Sequence, residues 1–188
     1  MVDSARKLSP NVPNITYSVG DCASPTPILY DGGAYDIVLG SWLLNYASNP
    51  QEMAHMFATA FANLKPGGRF VCIMPHPTST PRAFMEEALK ARPRRKWGEY
   101  WIEMTPLEDV DEGGGVRTGI EAQTKTGWVE FKAYHLPKEV YLRAAREGGF
   151  DETPCWRGIV LPEKWDDGGF GNWVDVPHFG LMTVTKGQ

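Results

Sequence analysis

Tyr35-Asp36-Ile37-Val38-Leu39-Gly40-Ser41-Trp42, then Asn49-Pro50-Gln51-Glu52, then Leu64-Lys65-Pro66-Gly67-Gly68-Arg69-Phe70-Val71-Cys72-Ile73-Met74 is the stretch whose reading decides the fold. The first run is nearly continuous in apolar residues, as a strand buried on both faces requires. Asn49 can cap a helix, Pro50 suits its first position, and Glu52 lies three residues after the cap. Met53, Met56, Phe57, Ala60, Phe61 and Leu64 then recur on one helical face. Pro66-Gly67-Gly68 stops that helix, and Arg69 to Met74 predicts the next strand. Strand, helix and strand with short joins predict a right-handed parallel crossover. In such a sheet, ligands sit beyond the carboxyl ends of the strands.

Upstream, Met1 to Leu8 predicts the tail of a helix with Val2, Ala5 and Leu8 on one face, ended by Ser9-Pro10. Ile15 to Val19 predicts a short strand, followed by a Gly20-Asp21 turn. Ser24-Pro25-Thr26-Pro27 and Asp31-Gly32-Gly33 are loop signals. Downstream, Ala83 to Ala91 predicts a helix. Tyr100 to Val110, Val116 to Lys125 and Gly127 to His135 predict strands of an inserted antiparallel element spanning 76–135, with Thr126-Gly127 as a turn. Pro137 to Glu147 predicts a helix ended by Gly148-Gly149. Phe150 to Leu161 and His178 to Lys186 predict a final antiparallel pair, joined by a long loop carrying Trp165, Phe170 and Trp173.

The 188 residues suffice for one domain with a core, and 42% hydrophobic with 22% charged content is that of a globular protein. The net charge is −4, and Arg92-Pro93-Arg94-Arg95-Lys96 is the one basic cluster, so no broad nucleic-acid face is expected. Cys22, Cys72 and Cys155 are widely spaced without metal-ligand spacing, so no metal is expected and Cys72 reads as core. No apolar run spans a membrane and the amino terminus lacks a signal-peptide core, so a cytoplasmic location is expected.

Gly20-Asp21-Cys22 after a strand, the segment Tyr35 to Tyr46, and Leu64-Lys65-Pro66-Gly67-Gly68-Arg69-Phe70 at its distance downstream together resemble a class I S-adenosylmethionine-dependent methyltransferase of the small-molecule type. The resemblance covers residues 1–75 and, more weakly, 134–186. It implies an α/β, Rossmann-like sheet forming a single partial domain over 1–188. It implies S-adenosylmethionine as cofactor and a small-molecule methyl acceptor reacting at O, N or C. By the same resemblance, Asp21 accepts from the adenine amine beside the backbone of Gly20 and Cys22. Gly40 and Ser41 run beneath the methionine part, and Trp42 and Tyr46 wall the pocket.

The family's glycine-rich turn after its first strand has no counterpart before Ile15. Gly113-Gly114-Gly115 is no substitute, because it precedes a strand rather than a helix. The fold is therefore expected to be a methyltransferase sheet truncated at its amino terminus, holding the cofactor weakly. In the family's strand order 3-2-1-4-5-7-6, the two absent strands would lie between Ile15 and Tyr35. Direct pairing of these strands, one unpaired strand, or a second chain in the gap are the alternatives. A homodimer or partner chain through the open edge follows from the last. A non-catalytic partner subunit is the rival function.

Methyl transfer can need a base to take the acceptor's proton. His76, just after a strand at the ligand end, and His135, between a strand and a helix, are the candidate catalytic residues; the alternative for each is a structural histidine. Trp101, Trp165 and Trp173 can line an acceptor pocket or simply cover the core.

Overall fold

The computed structural model describes residues 2–9, 12–90, 101–124, 127–158, 177 and 179–188. In chain order these form α1 (Val2–Leu8), β1 (Tyr35–Ser41), α2 (Pro50–Ala62), β2 (Leu64–Pro75), α3 (Pro81–Lys90), β3 (Trp101–Val110), β4 (Gly115–Thr124), β5 (Gly127–His135), α4 (Lys138–Glu147), β6 (Cys155–Arg157) and β7 (Phe179–Thr185). Two sheets result, one ordered β1-β2-β7-β6 and one ordered β3-β4-β5. The first is mixed: β1 and β2 are parallel, while β7 runs antiparallel to β2 and β6 antiparallel to β7.

The helix between the parallel strands forms where its signals predict. Asn49 Oδ1 accepts the Glu52 amide at 2.9 Å, and Glu52 reaches back to the Ser48 amide at 2.7 Å. At the other end Lys186 Nζ donates to the carbonyls of Phe61 and Leu64 at 2.9 and 2.8 Å, placing a cation on the negative end of the helix dipole. Met53, Met56, Phe57 and Ala60 of α2 are buried with Tyr141 and Ala144 of α4 against Phe70, Cys72, Met74, Met182 and Val184 of the sheet. Phe57, Phe70 and Phe150 make edge and stacked ring contacts at the centre. Burial pushes the Cys72 thiol up to about 12, as a core residue requires. The sheet alternates accordingly. Even positions from Gly40 through Phe70, Cys72 and Met182 face the helices; Ile37 and Leu39, on the opposite face, are each 65% exposed.

The predicted strand at Ile15–Val19 does not form: the segment is irregular, and Ile15 and Val19 are exposed. Its alternating pattern is strand-like, but a strand needs a neighbour, and among the described residues β1 pairs only with β2. The Tyr17 carbonyl instead accepts from Arg6 Nη2 at 2.8 Å. Direct pairing of the Ile15–Val19 segment with β1 is therefore not formed. Of the predicted Phe150–Leu161 strand, residues 150–158 are described and form β6 at Cys155–Arg157, while residues 159–161 lie outside the described residues. Strand β2 also starts earlier than expected, at Leu64, because Gly67 with φ 75 and reciprocal bonds between Gly67, Gly68 and Lys186 keep the turn inside the ladder.

The insertion is antiparallel, as predicted, with β4 paired to β3 and β5. Helix α3 packs on it through buried Met85 and Ala88. Arg92-Pro93-Arg94-Arg95-Lys96, Thr126, Trp165, Phe170, Trp173 and His178 lie outside the described residues.

Candidate active site

The carboxyl ends of β1 and β2 and the amino end of β7 converge. Gly40 and Ser41 end β1, and Trp42 follows with φ 56, a left-handed backbone uncommon for a bulky side chain. The turn is held because the Trp42 amide donates to the Ile73 carbonyl at 2.9 Å, and its ring meets Phe179 edge-on at 5.5 Å. Ser41 is exposed and Trp42 half-buried. Tyr46 ends the short 3-10 turn Leu44–Tyr46 and is 50% exposed. Gly40 differs from this group: a Cβ there would lie 2.8 Å from the Phe70 ring. Its missing side chain makes room for the core.

Gly20, Asp21 and Cys22 belong to a loop laid along α2. Asp21 Oδ1 accepts the Ala23 amide at 3.0 Å, closing a local turn. Cys22 is half-buried with Sγ 3.9 Å from Tyr30 Oη, and Gly20 sits against Ile28 and Tyr30. His55 Nδ1 contacts the Ala23 carbonyl at 2.9 Å, and Asn63 bonds Ile28 and Tyr30. Sequence reasoning missed Asn63, which looks like a routine helix end.

The two candidate histidines are brought together. His135 closes β5 and is 2% exposed; its Nε2 lies 2.9 Å from the His76 carbonyl oxygen. A carbonyl only accepts, so Nε2 carries the proton and Nδ1 keeps its lone pair. Nδ1 has no partner among the described residues, and neither has His76 Nδ1. The half-buried His76 ring stacks on Phe84 at 5.1 Å, and Phe84 meets His135 edge-on. Phe84 and Phe179 were not legible as site residues, because only tertiary packing brings them here.

Burial pushes the His135 imidazole down to about 4 and lowers His76 as well. Unfolding returns His135 to an ordinary value near 6.5. Below that value the unfolded chain binds a proton that the native chain refuses, so stability falls as pH drops from about 6.5 to about 4. The expected loss from His135 is on the order of 3 kcal/mol. Urea unfolding at pH 7 and pH 4.5 checks this. His135→Gln should flatten the pH dependence, and an unchanged slope in the variant contradicts the assignment.

Among the described residues there is no cluster of metal-ligating side chains, and no helix is long and apolar enough to cross a membrane. No family model and no curated protein matches the sequence. Solved structures do match. An S-adenosylmethionine-dependent methyltransferase from Mesorhizobium loti aligns with 99% of this chain and 76% of its own, at 22% identity and a TM-score of 0.58. A putative one from Listeria monocytogenes aligns over 98% and 75%, at 16% identity and 0.56. One from Clostridium acetobutylicum aligns over 99% and 70%, at 13% identity and 0.54. In fold, this chain is similar to the S-adenosylmethionine-dependent methyltransferases.

Proposed function

We propose that the protein takes part in S-adenosylmethionine-dependent methyl transfer to an O, N or C atom of a small-molecule metabolite. The observation that carries this reading is the Gly40-Ser41-Trp42 turn, with its left-handed tryptophan, at the carboxyl end of β1 in a methyltransferase-like sheet. Strained backbone at the ligand end of a sheet fits a functional turn better than a structural one. The residues fit the cofactor in part. Trp42 and Tyr46 offer aromatic surface suited to a sulfonium, and Asp21 offers an exposed carboxylate for an amine. Gly40 is accounted for by Phe70 alone.

S-adenosylmethionine supplies an activated methyl group, and transfer depends on in-line alignment with the acceptor atom. The chain's part is to orient the two and, for an O–H or N–H acceptor, to take the proton. His76 suits that role, being half-buried, with burial favouring its neutral form and with Nδ1 unpartnered among the described residues. His135 orients it through its backbone carbonyl and is the second candidate. With Asp21 at the adenine, Asp21→Ala should weaken S-adenosylmethionine binding several-fold more than His135→Ala in a calorimetric titration. Equal effects reject the assignment.

A second reading has its own observation. Tyr35, Ile37 and Leu39 lie exposed on β1, whose outer edge no described strand covers. A subunit that completes its sheet with a partner's strand would look like this.

A further inference from the structure

The outer edge of β1 has a definite phase. The Trp42 amide donates to the Ile73 carbonyl of β2. Backbone groups alternate along a strand, so Val38 and Gly40 likewise turn theirs to β2. Ile37, Leu39 and Ser41 turn their N–H and C=O groups the other way, to an edge that no strand of the described residues pairs. The side chains of Ile37 and Leu39 share the face opposite the helices and are exposed. Among the seven residues Tyr35–Ser41 the one charge is Asp36, already paired to Lys65 at 2.9 Å. An edge this apolar is a template for strand addition.

We infer that the occupant of this edge is β1 of a second copy of the chain, paired antiparallel with Val38 on the two-fold axis. The inference rests on the sheet-completion reading above and names its partner. A two-fold axis normal to the sheet pairs the two strands antiparallel and closes the assembly at two chains. Centring on Val38 overlaps the whole of β1, whereas any other centre leaves its ends unpaired. It sets Ile37 opposite the partner's Leu39. These two then exchange both N–H···O bonds and cover each other's apolar side chains. Asp36 falls opposite the partner's Gly40, so no like charges meet. The same register lays the partner's Tyr35 beside Ser41, next to the Trp42 turn, so both copies border each candidate site. Val38 meets the partner's Val38 in a non-hydrogen-bonded pair, with Cα atoms roughly 4.5 Å apart. A single strand edge buries less than the roughly 1,200 Å² of stable pairs, so the dimer is weak and concentration-dependent.

NMR on a mixture of isotope-labelled and unlabelled full chain tests this. At near-millimolar concentration an intermolecular NOE between the Val38 Hα protons of the two copies is expected. The Ile37 and Leu39 amides should gain several-fold protection from exchange as concentration rises, while the Val38 amide, turned to β2, stays as it was. Ile37→Lys with Leu39→Glu should keep the dimer, because opposite charges then meet across the axis; Ile37→Lys with Leu39→Lys should not. Leu39→Pro, which removes only an outward donor, should give a monomer that still melts cooperatively. Protection of Ile37 and Leu39 without the Val38 contact overturns the inference and leaves the sheet-completion reading standing. Amides unprotected at every concentration overturn both. Equal behaviour of the two charge pairs overturns the register and the inference with it.

Discussion

Asn63→Ala is expected to free the loop of residues 20–31 from α2 and to cost about 2–4 kcal/mol. Asn63 is 5% exposed. Its Nδ2 donates to the carbonyls of Ile28 at 2.6 Å and Thr59 at 2.8 Å, and its Oδ1 accepts the Tyr30 amide at 3.0 Å. Alanine strands an N–H and a C=O in half-buried surroundings, where each unmet group costs about 1–3 kcal/mol. The backbone bond from the Tyr35 amide to the Asn63 carbonyl survives, so β1 should keep its place. Hydrogen exchange should therefore accelerate at least about tenfold at Tyr30 and little at Val38. Uniform acceleration, or none, shows that the clamp is not what holds the loop. On the proposal that Asp21, carried by this loop, meets the adenine, the variant should also lose cofactor affinity.

The isolated chain is expected to self-associate through β1. Ile37 and Leu39, each 65% exposed, stand beside a backbone edge that no strand of the described residues pairs. Burying each side chain is worth about 1.5–3 kcal/mol before association entropy is subtracted. Ile37→Lys with Leu39→Lys places charge on the same face and should convert the associated species to monomer without lowering the melting temperature much. Sedimentation of both proteins checks this. A monodisperse, cooperatively melting monomer from the unmodified chain contradicts the exposed-edge account.

Local chemistry was readable where it is self-contained. The Asn49-Pro50-Glu52 start and the apolar face of α2 follow from spacing alone, and so does the parallel pairing of β1 with β2. Ile15–Val19 was misread for the converse reason: alternation is necessary for a strand, but its formation rests on a distant partner. The site divides in the same way. His76 and His135 are visible as histidines at strand ends, yet their contact joins residues 59 apart. The left-handed backbone of Trp42 has no signature in the residue type, which normally avoids it. Gly40 shows the opposite hazard, since a glycine at a ligand end suggests close approach and here admits Phe70.

The central claim is that the carboxyl end of β1 faces the methyl donor. Backbone amide NMR of the full chain during titration with millimolar S-adenosylmethionine tests it most directly, since it reads position even where affinity is weak. The account predicts shifts concentrated at Ser41, Trp42 and Tyr46, with a second group at Asp21 and Cys22. Shifts absent throughout the titration, or gathered instead on the β3-β4 hairpin, would contradict it.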